Sequence, residues 1–108
     1  DLKPNPVYEK EDIDYFKTHY YGGIRKYQWG TIPLAMHGVI VKKDGEKVEI
    51  SIGEKEGDPV FCLTDLLPHL AAKQNDRKLA EGIKGEELNI VVGSVPFQDR
   101  SSFWRFRF

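Results

Sequence analysis

Alternating apolar and polar positions mark the middle of the chain. Over residues 47–52 the side chains of Val48, Ile50 and Ile52 face one way and polar side chains face the other, which predicts a strand. Residues 32–43 predict a longer strand, and Asp44-Gly45 lies between the two runs. An Asp-Gly pair between two strand patterns is a strong hairpin signal, because both turn residues must accept a positive φ. The sequence therefore predicts a β-hairpin over 32–52.

A helical period precedes this hairpin. Within residues 9–20 the apolar side chains Ile13, Phe16 and Tyr20 are spaced i, i+3, i+7, which places them on one face of a helix. Acidic side chains near the start of this stretch suit the positive end of a helix dipole. We therefore predict a first helix over 9–20.

Two further helices are predicted after the hairpin. Residues 64–74 have an apolar face, and Pro68 falls in the first turn, where its missing N–H costs little. Residues 77–83 repeat the helical spacing. We expect the two to three helices to cover one face of a sheet.

The residue patterns of the remaining segments predict extended chain or strands. Residues 1–8 contain two prolines and predict an extended lead-in, and 24–29 predict a short strand. Residues 88–95 are almost wholly apolar and predict a central strand, while 102–108 alternate and predict an edge strand. The fold class predicted is α+β: a small single domain with a mainly antiparallel sheet built on the hairpin and the two later strands.

Length and composition agree with one folded domain. The 108 residues have a mass of 12.4 kDa, and 40% of them are hydrophobic, which is enough for a core. No apolar run approaches the roughly 18–20 residues that a membrane span needs. We therefore expect one domain over 1–108 that does not enter a membrane, with 97–108 as a candidate C-terminal arm.

Charge and cysteine content narrow the class of protein. Sixteen Lys and Arg against seventeen Asp and Glu leave a formal net charge of −1, which argues against a polybasic nucleic-acid binder. Cys62 is the single cysteine, so the chain has neither an intrachain disulfide nor a cysteine-built zinc site, as is typical of a cytoplasmic protein. Residues 44–58 are strongly acidic, whereas all the charged side chains within 15–29 are basic. The acidic segment of one copy could therefore meet the basic segment of another, which permits copies to associate head to tail.

Two segments combine aromatic and basic side chains. Such side chains are buried at protein interfaces, and they also stack on bases and contact the phosphates of single-stranded nucleic acid. Ordinary strand edges with solvated faces contain the same residue types. The candidate partner-binding residues are Tyr21, Arg25, Tyr27, Trp29, Trp104, Arg105, Phe106 and Arg107.

Other residues are weaker candidates for a metal site or for a catalytic residue. The acidic run over 46–58, with His37 before it and His69 after it, has oxygen ligands suited to Mg²⁺ or Ca²⁺, but its spacing fits no EF-hand and a solvated loop is the alternative. A metal-dependent nuclease would need Glu-x-Lys on the second strand, where Glu49-Ile50-Ser51 offers no Lys. Cys62 precedes a predicted helix and is a candidate nucleophile, with a buried structural cysteine as the alternative.

No motif specifies a catalytic residue, a metal ligand or a cofactor-binding residue, so we expect no cofactor and assign no enzymatic activity. We predict a non-enzymatic protein-interaction or assembly domain that uses its aromatic and basic edges. Its partner would be another protein or a second copy of the chain. A single-stranded nucleic-acid-binding module is the alternative, and a metal-dependent hydrolase or nuclease comes third.

Overall fold

Two antiparallel sheets form the framework of the protein in the computed structural model, which describes residues 1–95. The strands are β1 (Leu2–Lys10), β2 (Ile13–Thr18), β3 (Met36–Val41), β4 (Lys47–Ile52), β5 (Cys62–Leu63) and β6 (Asn89–Gly93). Four of them form a sheet in the order β1-β2-β6-β5, while β3 and β4 form a separate two-stranded sheet. The predicted small domain with antiparallel sheets is therefore confirmed in outline.

The predicted helix over 9–20 is wrong, because this stretch supplies the end of β1 and all of β2. The two strands pair in antiparallel fashion through a two-residue turn at Glu11 and Asp12, whose φ angles are 54° and 59°. Tyr8 and Tyr15 lie opposite each other, and their rings stack with centroids 5.1 Å apart. Of the acids that suggested a helix start, Glu11 and Asp12 form the turn and Glu9 lies in β1, and the cross-strand aromatic contact stabilises the hairpin.

The predicted hairpin over 32–52 is confirmed as β3 and β4, with a different turn. The Gly45 N–H donates to the Lys42 carbonyl at 2.9 Å, and only Gly45 has a positive φ, at 90°. The Asp44 carboxylate instead accepts the Glu46 N–H at 2.9 Å. The turn therefore has three residues and places its left-handed position at glycine alone.

The predicted sheet that joined this hairpin to the 88–95 strand is wrong. Strand β6 pairs with β2 on one side and with β5 on the other, so the hairpin has no strand partner outside itself among residues 1–95. The reason is that β2 occupies the position beside β6 that the hairpin was expected to fill.

A pair of backbone hydrogen bonds ties the segment before β3 to the rest of the domain. Leu34 and Phe61 exchange backbone hydrogen bonds of 2.8 and 2.9 Å just before β3 and β5. After β4, Gly53 has a φ of +105°, and a Cβ atom there would lie 3.0 Å from the Cα atom of Ala35. A side chain at position 53 would therefore be strained and would also collide with the backbone.

The helical segments are shorter than predicted. The only α-helices in the described chain are α1 (Lys26–Trp29), where a strand was expected, and α2 (Ala72–Asn75), which overlaps the end of the predicted 64–74 helix. Single 3₁₀ turns occupy Pro68–Leu70, Leu79–Glu81 and Gly85–Glu87. Leu66, Leu67 and Leu70 remain more than half exposed, so the apolar face that predicted the second helix is not packed on the sheet. Helices of one turn cannot cover the sheet, and that part of the prediction is wrong.

The most buried side chains lie in or just before β6, just before β5 and just before α2. They are Phe61, Ala71, Leu88 and Val92. The expected lead-in over 1–8 is extended and lies within β1, at one edge of the larger sheet. The predicted strand 102–108 and the arm 97–108 lie outside the described residues. No helix in the described part is long and apolar enough to cross a membrane.

Candidate functional site

An apolar cavity of about 300 Å³ lies where β2 leads toward α1. Its wall is built from the end of β2, the aromatic segment that follows, and the residues that enter β6. Side chains on this wall include Thr18, Tyr20, Tyr21, Ile24, Trp29 and Leu88. The Thr18 hydroxyl donates a hydrogen bond to the Leu88 carbonyl and so joins two of the segments that line the cavity. A concave, mostly apolar site with a few polar groups at its rim is the usual form of a binding pocket.

The structure brings two of the predicted site residues, Tyr21 and Trp29, to this cavity, and leaves Arg25 and Tyr27 out of its lining. Tyr21 is 73% exposed and packs edge-on against the His19 ring at 4.6 Å, and Trp29 lines the wall. Arg25 donates to the Tyr27 hydroxyl at 3.1 Å, and this bond raises the pKa of Arg25. The predicted residues Trp104, Arg105, Phe106 and Arg107 lie outside the described chain. The partner-binding role of all eight stays a prediction.

A second, more polar cavity of about 490 Å³ lies against β1 and β2. Two of its charged groups are already paired: Arg77 donates to both carboxylate oxygens of Glu87, at 2.9 and 3.1 Å. Burial would raise the pKa of Glu87, but the Lys84 N–H and the Arg77 guanidinium outweigh it and hold that pKa below its usual value. Gln74 donates to Asp65 and to the Gly82 carbonyl. These contacts join the segments between β5 and β6 to one another, so the polar groups that make them have a structural explanation.

The acidic run and the histidines do not form a metal site within residues 1–95. The His37 Nε2 atom lies 2.9 Å from Glu54, and this exposed pair has no third ligand. The Asp58 carboxylate accepts the N–H groups of Gly53 and Lys55, which lowers the pKa of Asp58. No group of three His, Cys, Asp or Glu side chains in the described chain is arranged to hold a metal ion. The acidic loop is therefore organised by its own backbone.

Cys62, the candidate nucleophile, lies in β5 and is exposed, so the alternative of a buried structural cysteine is wrong as well. It pairs across the sheet with Val91 rather than preceding a helix. Without a helix terminus behind it, the thiol lacks the environment that was expected to activate it.

Comparison with known proteins identifies the family. Residues 1–101 match the family model described as aminopeptidase I zinc metalloprotease (M18). The chain is 57% identical over 99 residues to the probable M18 family aminopeptidase 1 of Clostridium acetobutylicum, and 55% identical over 96 residues to that of Thermotoga maritima. These matches cover 92% and 89% of this chain but 21% of each relative. The chain thus spans about a fifth of the length of the curated relatives it matches.

Solved structures agree with this assignment. The M18 aminopeptidase from Thermotoga maritima is similar with a TM-score of 0.84 at 52% identity, over 93% of this chain and 22% of that one. Aminopeptidase I from Clostridium acetobutylicum is similar with a TM-score of 0.80 at 50% identity, over 94% of this chain and 22% of that one.

These findings overturn the predicted function. A non-enzymatic interaction or assembly domain is wrong, because the match to peptidases extends over nearly the whole chain at about half identity. The nucleic-acid alternative has no support, since the matched proteins are aminopeptidases. Sequence reasoning missed the family because residues 1–95 lack the clustered ligands by which a zinc enzyme is usually found. The chain belongs to the aminopeptidase I zinc metalloprotease (M18) family.

Proposed function

We propose that this chain forms one section of a zinc-dependent aminopeptidase, an enzyme that hydrolyses the first peptide bond of a substrate with a free amino end. The observation that carries the proposal is the 57% identity over 92% of the chain to an M18 family aminopeptidase. Zinc supplies the Lewis acid and activated water in such a hydrolysis. Residues 1–95 do not fit a zinc site, because no three candidate ligands converge there. This section therefore contributes to the enzyme in a way other than holding the metal.

We propose that the cavity beside Trp29 is part of the surface that contacts the peptide. Its lining is mostly apolar, its volume of about 300 Å³ suits a peptide side chain, and the exposed Tyr21 ring stands at its rim. Trp29 and Tyr21 are large and have few rotatable bonds, so they lose little entropy when they are covered by a ligand. This role also accounts for the two predicted partner-binding residues that reach the cavity.

The activity is tested on the natural protein that carries this chain, with a free hexapeptide and the same peptide acetylated at its amino end. We expect release of the first residue from the free peptide only, loss of the activity in a zinc chelator, and recovery when zinc is returned. Equal cleavage of the acetylated peptide, or activity that survives removal of the metal, would contradict the proposal.

The role of the cavity is tested with Trp29→Ala and Trp29→Phe in the same protein. If the wall contacts the peptide, Trp29→Ala raises KM for a peptide with a large apolar side chain, and Trp29→Phe largely restores it. A peptide of alanines provides the matched control, since its small side chains make little contact with Trp29 and lose little in Trp29→Ala. An equal change in KM for both peptides would show that Trp29 acts through folding.

We also propose that copies of the chain associate, and that the protein works in the cytoplasm. The first proposal is supported by the apolar residues that β3 exposes, and the second by the single free cysteine. A concentration-dependent sedimentation coefficient tests the association, and fractionation of the source cells tests the compartment.

A further inference from the structure

Two residues that are distant in sequence meet at the wall of the apolar cavity beside Trp29. Tyr20 follows the end of β2, and Gly85 begins the 3₁₀ turn Gly85–Glu87 that precedes β6. The hydrogen bond from the Thr18 hydroxyl to the Leu88 carbonyl joins these two segments. A Cβ atom at position 85 would lie 3.0 Å from Cε1 of the Tyr20 ring and 3.7 Å from its hydroxyl oxygen. The ring therefore lies directly against the backbone of Gly85.

The backbone conformation of Gly85 does not itself call for glycine. Its φ is not in the left-handed region, so alanine at this position would meet no backbone strain. A separation of 3.0 Å is, however, closer than the roughly 3.5–4.0 Å at which two carbon atoms attract each other. The contact that excludes a side chain at position 85 is therefore the one with the Tyr20 ring.

The 3₁₀ turn that contains Gly85 is held in place by its neighbours. Lys3 pairs with Glu86 at 2.8 Å, and Arg77 pairs with Glu87 at 2.9 Å. The Glu86 carbonyl also accepts a hydrogen bond of 2.9 Å from the side-chain amide of Asn89. Because these contacts come from three different segments, a side chain added at position 85 would displace the ring and leave the turn where it is.

The Tyr20 ring is the partner that can move. It is 38% exposed, whereas the backbone just before it is fixed, because the His19 N–H donates to the Asp1 carbonyl at 2.7 Å. The displacement therefore falls on the Tyr20 side chain, which is part of the cavity wall. Gly85 does not line the cavity, so any effect that it has on a ligand there passes through Tyr20.

We propose that Gly85 is a positioning residue for this cavity. Its missing side chain lets the Tyr20 ring lie against the 3₁₀ turn, and this position of the ring sets the space that a large apolar side chain of the peptide can fill. In apolar pockets a single methylene changes discrimination roughly 10–200-fold, so a small displacement of the wall has a measurable effect. The inference rests on the contact between cavity and peptide proposed above, and it names a residue that sets the size of that cavity.

The first test compares Gly85→Ala with Gly82→Ala in the natural protein that carries this chain. Gly82 is the matched control: it lies in the same segment with a φ of −54°, and its added Cβ would meet the Leu79 carbonyl at an ordinary distance of 3.4 Å. We expect Gly85→Ala to raise KM for a peptide with a large apolar side chain roughly five- to tenfold, with little change in kcat. KM for a peptide of alanines should stay the same, and Gly82→Ala should change neither value. An unchanged KM in Gly85→Ala, or an equal rise for both peptides, would overturn the proposal.

The second test asks whether Gly85 acts through the ring. Tyr20→Phe keeps the Cε1 atom that a side chain at position 85 would meet, whereas Tyr20→Leu has no atom there. Adding Gly85→Ala to Tyr20→Phe should raise KM for the large peptide as it does in the wild type, and adding it to Tyr20→Leu should change KM little. Equal effects in both backgrounds would show that the ring does not transmit the change, and the proposal would fall.

Thermal unfolding covers the case in which Gly85→Ala does not fold. Tyr20→Leu should then restore Tm and Tyr20→Phe should not, because only leucine removes the contact. If Tyr20→Leu does not restore Tm, the loss comes from the turn itself and the proposal is wrong.

The same peptides distinguish this inference from the proposed function. If Trp29→Ala raises KM for the large peptide and Gly85→Ala does not, the cavity contacts the peptide and only the role of Gly85 is refuted. If neither variant changes KM for either peptide, the cavity does not contact the peptide, and both proposals about it are refuted.

Discussion

Replacing Glu11 with Asn and Asp12 with Gly is expected to stabilise the protein through the β1–β2 turn. Both residues have φ near +55°, in the left-handed region that costs a residue with a side chain about 1–2 kcal/mol. Asn-Gly is the pair that such two-residue turns favour. The substitutions also remove two negative charges from a turn next to Glu9 and Asp14, which lie directly opposite each other across the hairpin.

The gain is reduced because glycine makes the unfolded chain more flexible, at a cost of about 0.5–1 kcal/mol. A net increase of about 1 kcal/mol in the free energy of unfolding remains. For a domain of this size it corresponds to a rise in Tm of about 4–8 °C. Thermal unfolding followed by circular dichroism at low protein concentration would measure it without interference from association.

The β3–β4 turn provides the matched control. Replacing Lys43 with Asn and Asp44 with Gly makes the same kind of change where neither residue has a positive φ. It also removes the carboxylate that accepts the Glu46 N–H. We expect no gain, or a loss, from this control. If both double variants shifted Tm by the same amount and in the same direction, the argument from backbone conformation would be refuted.

Three further changes are expected to have measurable effects. Backbone hydrogen bonds lower the pKa of Asp58 in the folded protein, so its negative charge stabilises the fold at pH values above its unfolded pKa. Asp58→Asn should therefore lower Tm at pH 7. The difference in Tm between wild type and variant should disappear as the pH falls through the lowered folded pKa. A difference that is constant with pH would contradict this. Phe61→Ala should cost about 3–5 kcal/mol in urea unfolding, while Tyr21→Ala should stay within about 0.5 kcal/mol, since Phe61 is buried and Tyr21 is exposed. Arg77→Met should raise the pKa of Glu87 in an NMR titration; an unchanged value would show that the Lys84 N–H alone sets it.

Local signals predicted part of the local structure. The β3–β4 hairpin followed from the alternation in 47–52 and from the Asp-Gly turn, because both signals act between neighbours in sequence. The β1–β2 hairpin was missed since Ile13, Phe16 and Tyr20 satisfy a helical spacing by coincidence. The better signal was the run of aromatic and β-branched residues on both sides of Glu11-Asp12.

The pairing of strands that are distant in sequence could not be predicted from the pattern of hydrophobic and polar residues. Strand β6 pairs with β2 across more than 70 residues, and no periodicity reports a partner at that distance. The order of strands in the larger sheet depends on this pairing. Because residues 9–20 predict a helix, the predicted sheet lacked β2 and placed the hairpin with the 88–95 strand, so the error in one element became an error in the sheet.

The function was missed for a chemical reason. Motif reasoning finds a metallopeptidase through ligands that stand close together, and residues 1–95 contain no such cluster. What the segment does present is an apolar cavity with Trp29 and Tyr21, which are residue types shared by many binding surfaces. Two of the eight predicted partner-binding residues reach that cavity, but side chains of this kind do not name a reaction.

The contact between Gly53 and Ala35 has a consequence for how this sequence can change over time. Residue 53 combines a φ of +105° with a backbone neighbour 3.0 Å from where a Cβ would lie, so every substitution there meets two obstacles at once. The exposed positions of β3 and the loop around Glu56 meet no such obstacle in the monomer. Saturation mutagenesis of residues 36–58, scored for folding alone, should therefore give its deepest minimum at position 53, with shallower minima at Asp58 and at Gly45 and Gly57, whose φ angles are positive but whose Cβ positions are open. A hairpin transplanted from a relative would be accepted only if it brought that glycine with it.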